Sequence, residues 1–356
     1  MSYEFNKVWD FSYEVFLKMG CPTIDAKLAA DVLVSADLRG IDSHGVARLI
    51  GYVRLWDADR INPTPNIRVV HETPSTGVVD GDSGLGLVVA PKAMEIAIKK
   101  ADNVGSGWIS VKNSNHYGIA GYHAMMALEH DMIGMSMTNA SPLVAPTFST
   151  ERMLGTNPIA VAIPAEKQPP FVADFATTTA ANGKLEILQR KGENAPIGWI
   201  QDAGGAASTN PEELKKGGAL LPLGGDRLHG SHKGYCLGSI VDIFSAVLSG
   251  ANFGPWAPPF VSFLPMAENP VGEGLGHFLG AMRIDGFRPA DEFKANMDVW
   301  INRFRSAKTT SEAQSVLIPG DPEREAEDER RVSGIPINEK VVVDLEELAK
   351  RFGLSF

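Results

Sequence analysis

The segment that most constrains the fold lies at residues 76–103, where a strand pattern, a glycine-rich turn and a long helix pattern follow one another. This order resembles the first half of the βαβ unit in which a Gly-x-Gly-x-x-Gly turn holds a dinucleotide. Gly84 and Gly86 supply two glycines, but Val89 stands where the third belongs, and no acidic residue follows a second strand at the expected distance. The sequence therefore argues against a Rossmann turn. It also contains neither a Walker A sequence nor a Gly-x-Ser-x-Gly elbow.

Hydrophobic periodicity divides the chain into a helical N-terminal part and a mixed remainder. Apolar spacing over residues 5–16 predicts one helix. Thr23 is placed to cap a second helix that reaches Leu38, and Ser43 is placed to cap a third that reaches about Asp59. Two prolines then end the helical part, and strand patterns follow.

The remainder alternates strands and helices, which is typical of an α/β protein. Strands are predicted at residues 67–70, 76–80, 108–111, 133–137, 159–162, 171–174 and 276–284. Helices are predicted at residues 90–103, 119–130, 234–249, 287–305 and 344–353. The run of acidic and basic residues from Asp321 to Arg331 is interpreted as a solvated segment.

Composition excludes several classes of function. The net charge of −10 argues against binding to nucleic acid or to anionic membrane surfaces. The N-terminus does not resemble a signal peptide, and no apolar run is long enough to span a membrane. Cys21 and Cys236 cannot form a disulfide framework or a zinc site, and we expect two buried thiols in a reducing cytoplasm.

Two histidines carry the strongest chemical signal. His44 follows Asp42 and Ser43, and His116 follows Asn115, each at the start of a predicted helix. The partial positive charge of a helix N-terminus favours the neutral imidazole, which can accept a proton near pH 7. Arg48 lies one turn beyond His44, where its guanidinium could hold a carboxylate while a histidine takes a hydroxyl proton. These residues predict an enzyme that acts on a small hydroxy acid.

The other histidines do not predict a metal centre. His123 and His130 follow His116 at intervals of seven residues, which separates consecutive rings by about 10 Å along a helix. We interpret both as histidines on a helix surface or at an interface. The pair His229 and His232 has no carboxylate or thiol nearby to complete a site. We therefore expect no metal.

Polar, glycine-rich loops recur and favour a large ligand that carries phosphate groups. They begin at Gly155, Asp174 and Leu223, and each offers backbone N–H groups or hydroxyls. Lys184 and Lys233 add positive charge close to two of these loops. Each loop alone is typical of a turn, but together they indicate a phosphate-bearing ligand.

Several motifs in a fixed order resemble those of a known family. They are Asp-Ser-His-Gly at 42–45, Asn-Ser-Asn-His-Tyr-Gly at 113–118, Gly-Thr-Asn-Pro at 155–158, Gly-Lys at 183–184, Leu-Leu-Pro-Leu-Gly-Gly at 220–225, His-Lys-Gly-Tyr at 232–235, Val-Asp-Ile at 241–243, Gly-His-Phe at 276–278 and Ile-Pro-Gly at 318–320. The pattern resembles the malate/L-lactate dehydrogenase family that is unrelated to the Rossmann enzymes. Ureidoglycolate dehydrogenase, sulfolactate dehydrogenase, diketogulonate reductase and a cyclic imino-acid reductase are similar to it.

The resemblance implies a non-Rossmann fold that binds NAD or NADP on a mixed, largely antiparallel sheet, beside a helical N-terminal domain. It implies a helical region at 1–70, an α/β region at 71–135 and 285–356, and an NAD(P)-binding region at 136–284. It also implies a homodimer in the cytoplasm, with the cofactor site near the subunit boundary.

Site roles follow from the resemblance motif by motif. His116, His44 and Ser43 are the candidate catalytic residues, and the residues alone do not decide which histidine is the principal acid or base, although we favour His116. The candidate substrate-binding residues are Arg48, Thr156 and Asn157. The candidate cofactor-binding residues are Asp174, Phe175, Ala176, Lys184, His232, Lys233, Gly320 and Asp321. Asn182 departs from the pattern, because relatives often carry Arg before Gly-Lys.

The expected reaction is hydride transfer between a nicotinamide and C2 of a small 2-hydroxy or 2-oxo acid, with malate and oxaloacetate as the favoured pair. Alternative substrates are another 2-oxo acid, ureidoglycolate, a keto sugar acid or a cyclic imino acid. A ligand-binding protein that kept the fold and lost the chemistry is the non-enzymatic alternative.

Overall fold

The computed structural model describes residues 2–310 and 315–356, and within them the chain forms a mixed α/β fold around a seven-stranded sheet. The α-helices are α1 Phe5–Lys18, α2 Thr23–Leu38, α3 Leu49–Asp57, α4 Gly86–Val104, α5 Ala120–Met125, α6 Asn182–Lys191, α7 Ser231–Asp242, α8 Ala290–Arg305, α9 Asp321–Ser333 and α10 Glu339–Phe352. The strands are β1 Ser2–Tyr3, β2 Arg68–Glu72, β3 Thr76–Asp80, β4 Ser106–Ser114, β5 Met132–Thr138, β6 Ile159–Ile163, β7 Phe171–Phe175, β8 Ile200–Gln201, β9 Ala207–Ser208, β10 Ala219–Leu220, β11 Leu275–Arg283 and β12 Ile335–Pro336.

The central sheet has the strand order β2-β3-β4-β11-β5-β6-β7. Only β3 and β4 pair in parallel, and the other neighbours pair antiparallel. The expected mixed, largely antiparallel sheet without a Rossmann turn is therefore confirmed. The two parallel strands are joined through α4, the helix that follows the incomplete glycine fingerprint.

Both faces of the sheet are covered, and this explains the alternation of residues in β4. Ile109 and Val111 face a core formed with α4 and α5, whereas Trp108 packs against Phe278 in a separate cluster on the opposite side. A period of two along a strand sends successive side chains to opposite faces. The end of β4 then leads directly into the loop that carries His116.

A second core lies among the N-terminal helices. Buried side chains of α1, α2 and α3 pack together with α10, so the two ends of the described chain share one hydrophobic cluster. The antiparallel pair of β1 and β12 joins the same two ends. This cluster supports the turn at residues 42–48, which carries the predicted catalytic residues.

Three local expectations were wrong. The charged run from Asp321 forms helix α9 rather than a merely solvated segment, and Arg330 of this helix bonds to α2 and to the turn that follows α2. Ser43 does not cap a helix, because a 3₁₀ turn at Val46–Arg48 precedes α3. Of the two cysteines, Cys21 is buried as expected, but Cys236 is exposed.

The helices were also compared with the length and hydropathy that a bilayer requires. Among the described residues, no helix is both long and apolar enough to cross a membrane.

Candidate active site

The turn at residues 42–48 is shaped by a buried carboxyl group from α2. One carboxyl oxygen of Asp37 accepts a hydrogen bond of 2.8 Å from the backbone N–H of Val46. A Cβ atom at position 45 would lie 2.0 Å from that carboxyl group, so only glycine permits this approach. Burial raises the pKa of Asp37 to about 8, while the Val46 N–H acts in the opposite direction. The backbone of the turn is thus tied to a core helix.

The structure brings the two predicted histidines together. The rings of His44 and His116 are nearly parallel, with centroids 5.7 Å apart. Nδ1 of His44 lies 2.9 Å from the Ser43 hydroxyl, and Nδ1 of His116 lies 2.6 Å from the Tyr52 hydroxyl. With Nδ1 engaged in each ring, Nε2 is the nitrogen available to a ligand.

Burial keeps both imidazoles neutral. It lowers the pKa of His44 to about 4, and the positive charge of Arg48 acts in the same direction. Burial also lowers the pKa of His116 well below its ordinary value, with further contributions from His44 and Arg48. The sequence attributed the neutral state to helix N-termini, whereas the structure attributes it chiefly to burial: the helical turns begin only at Val46 and Ala120, after each histidine. A neutral imidazole can act as a general base at physiological pH.

Arg48 lies beside the histidines but is already engaged. Its Nε donates to the Ser43 carbonyl oxygen at 2.5 Å. Its two terminal nitrogens contact Glu186 of α6, at 2.8 Å from Nη2 and 3.4 Å from Nη1. Asn182 also donates to Glu186, at 2.7 Å. The predicted substrate-binding arginine thus carries an internal carboxylate in this structure.

Helix α6 approaches the turn at residues 42–48 closely because its second residue is a glycine. A Cβ atom at position 183 would lie 2.5 Å from Cβ of Ser43 and 3.0 Å from Nη2 of Arg48. The absence of a side chain at Gly183 therefore lets Glu186 reach the guanidinium.

A cleft of about 70 Å³ lies between the two histidines and the loop at 140–143. Its lining includes Arg48, Thr156 and Phe260, whose ring centroid is 4.7 Å from that of His116. Asn157 does not line the cleft: it is fully buried, and its amide donates to the Gly238 carbonyl at 2.9 Å. Thr156 is therefore brought to the histidines, whereas Asn157 holds α7 against the loop.

The stretch that contains Asp174, Phe175 and Ala176 continues from β7 toward the same cleft. The next residue, Thr177, donates from its backbone to the Thr156 carbonyl at 2.9 Å. A carboxyl oxygen of Asp174 accepts from the Gly121 N–H at 2.7 Å, and burial raises the pKa of Asp174 to about 6. Phe175 is exposed. This predicted cofactor segment is thus linked directly to the residue that lines the histidine cleft.

Each of two predicted cations lies in the helix that follows one strand of a backbone ladder. Residues 177–179 pair with 221–223, through bonds such as the Leu223 N–H to the Thr177 carbonyl at 2.9 Å. Lys184 lies in the first turn of α6, and its ammonium group is 6.0 Å from the centre of the Trp199 ring. Lys233 lies in the first turn of α7, and Nδ1 of its neighbour His232 accepts from Nη1 of Arg227 at 2.8 Å. Both lysines are exposed, and neither makes an ion pair within the part of the chain that the structure describes.

Two exposed ammonium groups that make no ion pair among the described residues fit a ligand with a diphosphate group. A phosphate group could bind these ammonium groups without breaking an ion pair among the described residues. The residues present are therefore compatible with a nicotinamide dinucleotide.

The last two predicted cofactor residues are at the sheet edge. Gly320 has a φ of +98° and precedes α9, and the adjacent Pro319 carbonyl accepts from the Val172 N–H of β7 at 3.0 Å. Asp321 is buried, and its carboxylate accepts from the Ile318 N–H at 2.8 Å and from Arg305 at 2.7 Å. Although burial acts to raise it, these bonds and Arg324 hold the pKa of Asp321 below its ordinary value. Its carboxylate is thus engaged by its own chain.

The expected position of one of the remaining histidines was wrong. His123 is fully buried rather than on a helix surface, and its Nε2 lies 2.9 Å from the Tyr117 carbonyl. Within residues 2–310 and 315–356, no group of three or more histidine, cysteine or acidic residues has the geometry of a metal site.

Sequence reasoning missed three neighbours of the histidines, namely Tyr52, Phe260 and Glu186. A signal existed for Tyr52, which follows Arg48 by four residues and therefore lies on the same side of the helix. Phe260 and Glu186 come from segments more than 130 residues away from Arg48, and no local pattern indicates their approach.

Comparison with known proteins places the chain among dehydrogenases. Residues 3–346 match the family described as malate/L-lactate dehydrogenase. A malate dehydrogenase from Pyrococcus abyssi is 45% identical over 351 residues, which cover 98% of this chain and 94% of the relative. An L-sulfolactate dehydrogenase from Methanocaldococcus jannaschii is 38% identical over 343 residues, which cover 96% and 94%. A solved malate dehydrogenase structure from Pyrococcus horikoshii OT3 matches with a TM-score of 0.90 and 42% identity, over 100% of this chain and 96% of that one.

We expect the His44 ring to remain neutral from about pH 8 down to about pH 5, because burial and Arg48 lower its pKa to about 4. Histidine-selective nuclear magnetic resonance would follow the ring carbons through the titration. In the variant Arg48→Gln the pKa of His44 should rise, since a neighbouring positive charge has been removed. A wild-type ring that protonates close to pH 6.5 would contradict the burial argument.

Proposed function

The chain belongs to the malate/L-lactate dehydrogenase family, and on that premise we propose that it transfers hydride between a nicotinamide nucleotide, NAD or NADP, and C2 of a small 2-hydroxy acid, most favourably malate. One observation carries the proposal. Two partly buried histidines, whose lowered pKa values favour the neutral ring, face a common cleft with Arg48 beside them. A base and a carboxylate-binding group in one cleft are what the oxidation of a 2-hydroxy acid requires.

In the proposed mechanism the protein binds the acid and moves one proton. Arg48 donates charge-assisted hydrogen bonds to the C1 carboxylate. His116 accepts the C2 hydroxyl proton at Nε2, because its Nδ1 is held by Tyr52. Ser43 and His44 orient the hydroxyl or relay its proton, and the reverse reaction returns the proton to the carbonyl oxygen. When bound, the nicotinamide supplies the hydride chemistry.

The ladder of residues 177–179 and 221–223 is the proposed platform for the dinucleotide. Lys184 and Lys233 would pair with its phosphate groups, with Asp174, Phe175 and Ala176 leading toward the cleft. Thr156 accepts the ladder's hydrogen bond and lines the cleft, so it connects the two binding regions. The structure offers no Rossmann carboxylate by which NAD and NADP are usually distinguished.

A second arginine favours a dianionic substrate such as malate over lactate. Arg54 lines a cleft of about 450 Å³ that also contains Arg48 and Phe260, and it donates to the Phe260 carbonyl oxygen. Burial and the positive charge of Arg48 lower the pKa of Arg54, so the two guanidinium groups act on each other. No carboxylate pairs with Arg54 among the residues that the structure describes. A second acidic group on the substrate would supply that missing partner.

We further propose that two copies associate through the segment that begins with α7. Large apolar residues on one side of it are exposed, at the spacing i, i+3, i+4, i+7 and i+8: Ile240, Ile243, Phe244, Val247 and Leu248. A continuous apolar stripe of this kind is typical of a surface covered by a partner. Because Asn157 holds α7 against the Thr156 loop, such a dimer would bring its boundary near the cofactor platform.

Replacement of His116 by alanine should lower kcat about a hundredfold or more, which is the usual contribution of a general base. Wild type and variant would be compared with NADH and NADPH against oxaloacetate, pyruvate, ureidoglycolate and sulfopyruvate. His130→Ala is the matched control, since that ring is exposed. Near-normal turnover in the His116 variant would refute the assignment.

Arg54→Gln should reduce kcat/KM for oxaloacetate about 10- to 100-fold, the range expected for one lost charge-assisted hydrogen bond. The value for pyruvate should change by less than about threefold, because pyruvate has no second carboxylate. Lys340→Gln removes the same charge from the same cleft and is the control for general electrostatics. An equal loss for both substrates would argue against a second carboxylate at Arg54.

Phe244→Glu should convert the dimer into a monomer, because it introduces a charge at the centre of the apolar stripe. Light scattering coupled to size-exclusion chromatography would measure the mass in solution. Val343→Glu, at a valine on α10 that is also exposed, should leave the mass unchanged. A monomeric wild type, or a dimer that survives Phe244→Glu, would exclude this interface.

A further inference from the structure

The hydrogen-bond donors of Arg48 leave no complete binding edge for a substrate. A guanidinium group grips a carboxylate with two parallel bonds, either through Nε and one terminal nitrogen or through both terminal nitrogens. The first edge is used at Nε by the Ser43 carbonyl, at 2.5 Å. The second edge holds Glu186, at 2.8 Å and 3.4 Å. A substrate carboxylate must therefore displace one of these two acceptors.

Glu186 is the acceptor that can leave. The Ser43 carbonyl is part of the turn that Asp37 and Gly45 lock in place, so it moves only with the backbone. Glu186 is a long side chain on α6, and about a quarter of its side-chain surface is exposed. Among the described residues, its side chain bonds to Arg48 and Asn182, and these are the contacts that its rotation would break.

The sizes of the clefts around Arg48 also indicate that Glu186 moves when a substrate binds. The histidine cleft measures about 70 Å³, whereas small-molecule pockets usually measure about 300–1,000 Å³. Two adjoining clefts, of about 450 and 460 Å³, are each lined by both Arg48 and Glu186. The Arg48–Glu186 pair thus lies where the larger clefts meet the histidines.

We infer that Glu186 is an internal competitor for the substrate carboxylate, so that binding of the acid exchanges one carboxylate for another on Arg48. The inference rests on the proposed function and adds a specificity determinant to it. A ligand without a carboxylate cannot displace Glu186, and the site therefore selects for acids. The apparent affinity for the acid is reduced by the fraction of molecules in which Glu186 holds Arg48.

The displaced carboxylate has an alternative partner on its own helix. Arg190 follows Glu186 by four residues, a spacing at which opposite charges pair on a helix surface. It lines both of the larger clefts and makes no ion pair within the described part of the chain, although it acts on the nearby carboxyl group of Asp344. Glu186 can thus exchange Arg48 for Arg190 when the substrate arrives.

The test measures malate binding directly and does not depend on turnover. Isothermal titration with each malate enantiomer, in the presence of a reduced nicotinamide nucleotide with which malate cannot react, would give Kd for the wild type and the variants. Glu186→Gln should lower Kd about fivefold, the scale of a partly exposed ion pair. Glu212→Gln is the matched control, because Glu212 lines the same cleft but pairs with Lys215 at 3.0 Å. Its Kd should change less than twofold.

Arg190→Gln supplies a second readout of opposite sign. In the wild-type background it should raise Kd, because the displaced Glu186 carboxylate loses its new partner. In the Glu186→Gln background it should have no effect, because residue 186 then carries no charge to pair with Arg190. A Glu186→Gln protein that binds malate no better than wild type, or no better than Glu212→Gln, would overturn the inference. Tighter malate binding without reduction of any 2-oxo acid by the wild type would instead uphold the competition and refute the proposed function.

Discussion

The hydrogen bond from the Val46 N–H to the buried Asp37 carboxyl group is the contact on which the site depends. It bends the chain after α2 so that Ser43, His44 and Arg48 all leave one tight turn. The approach is close enough to require glycine at position 45. Burying a carboxyl group costs free energy unless the group is hydrogen-bonded. The bond from Val46 offsets part of this cost, and the buried carboxyl group in turn fixes the positions of the three side chains.

Desolvation, rather than helix ends, sets the chemistry of the two histidines. Both rings lie between the N-terminal helices and the loop after β4, and the aromatic rings of Tyr52 and Phe260 pack against His116. The contact of the imidazoles with water is thereby reduced, and the charged form is disfavoured. The same arrangement makes Arg48 the dominant nearby charge, so that its pairing with Glu186 or with a ligand also tunes the neighbouring base.

Local pattern predicted much of the fold and part of the site. Strands such as β3 and β7 and helices such as α1 and α2 were correct because their periodicity is contained within a few turns or pleats. The charged residues of α9 concealed a helix, since its support comes from arginine contacts with Asp37 and Asp42 nearly 300 positions earlier. His44, Arg48 and His116 stood out as residue types in polar turns. Glu186 and Phe260 did not, because only the packing of distant segments makes them neighbours.

The ion pair between Arg330 of α9 and Asp42 has a consequence for how the protein is made. It joins the turn at residues 42–48 to a helix residue that the ribosome adds 288 positions later. Contacts of such sequence separation form late, because the loop that they close must first be ordered. The N-terminal helices are complete in sequence long before Arg330 is added, so the turn that carries His44 gains its contact with α9 only when nearly the whole chain has been synthesised.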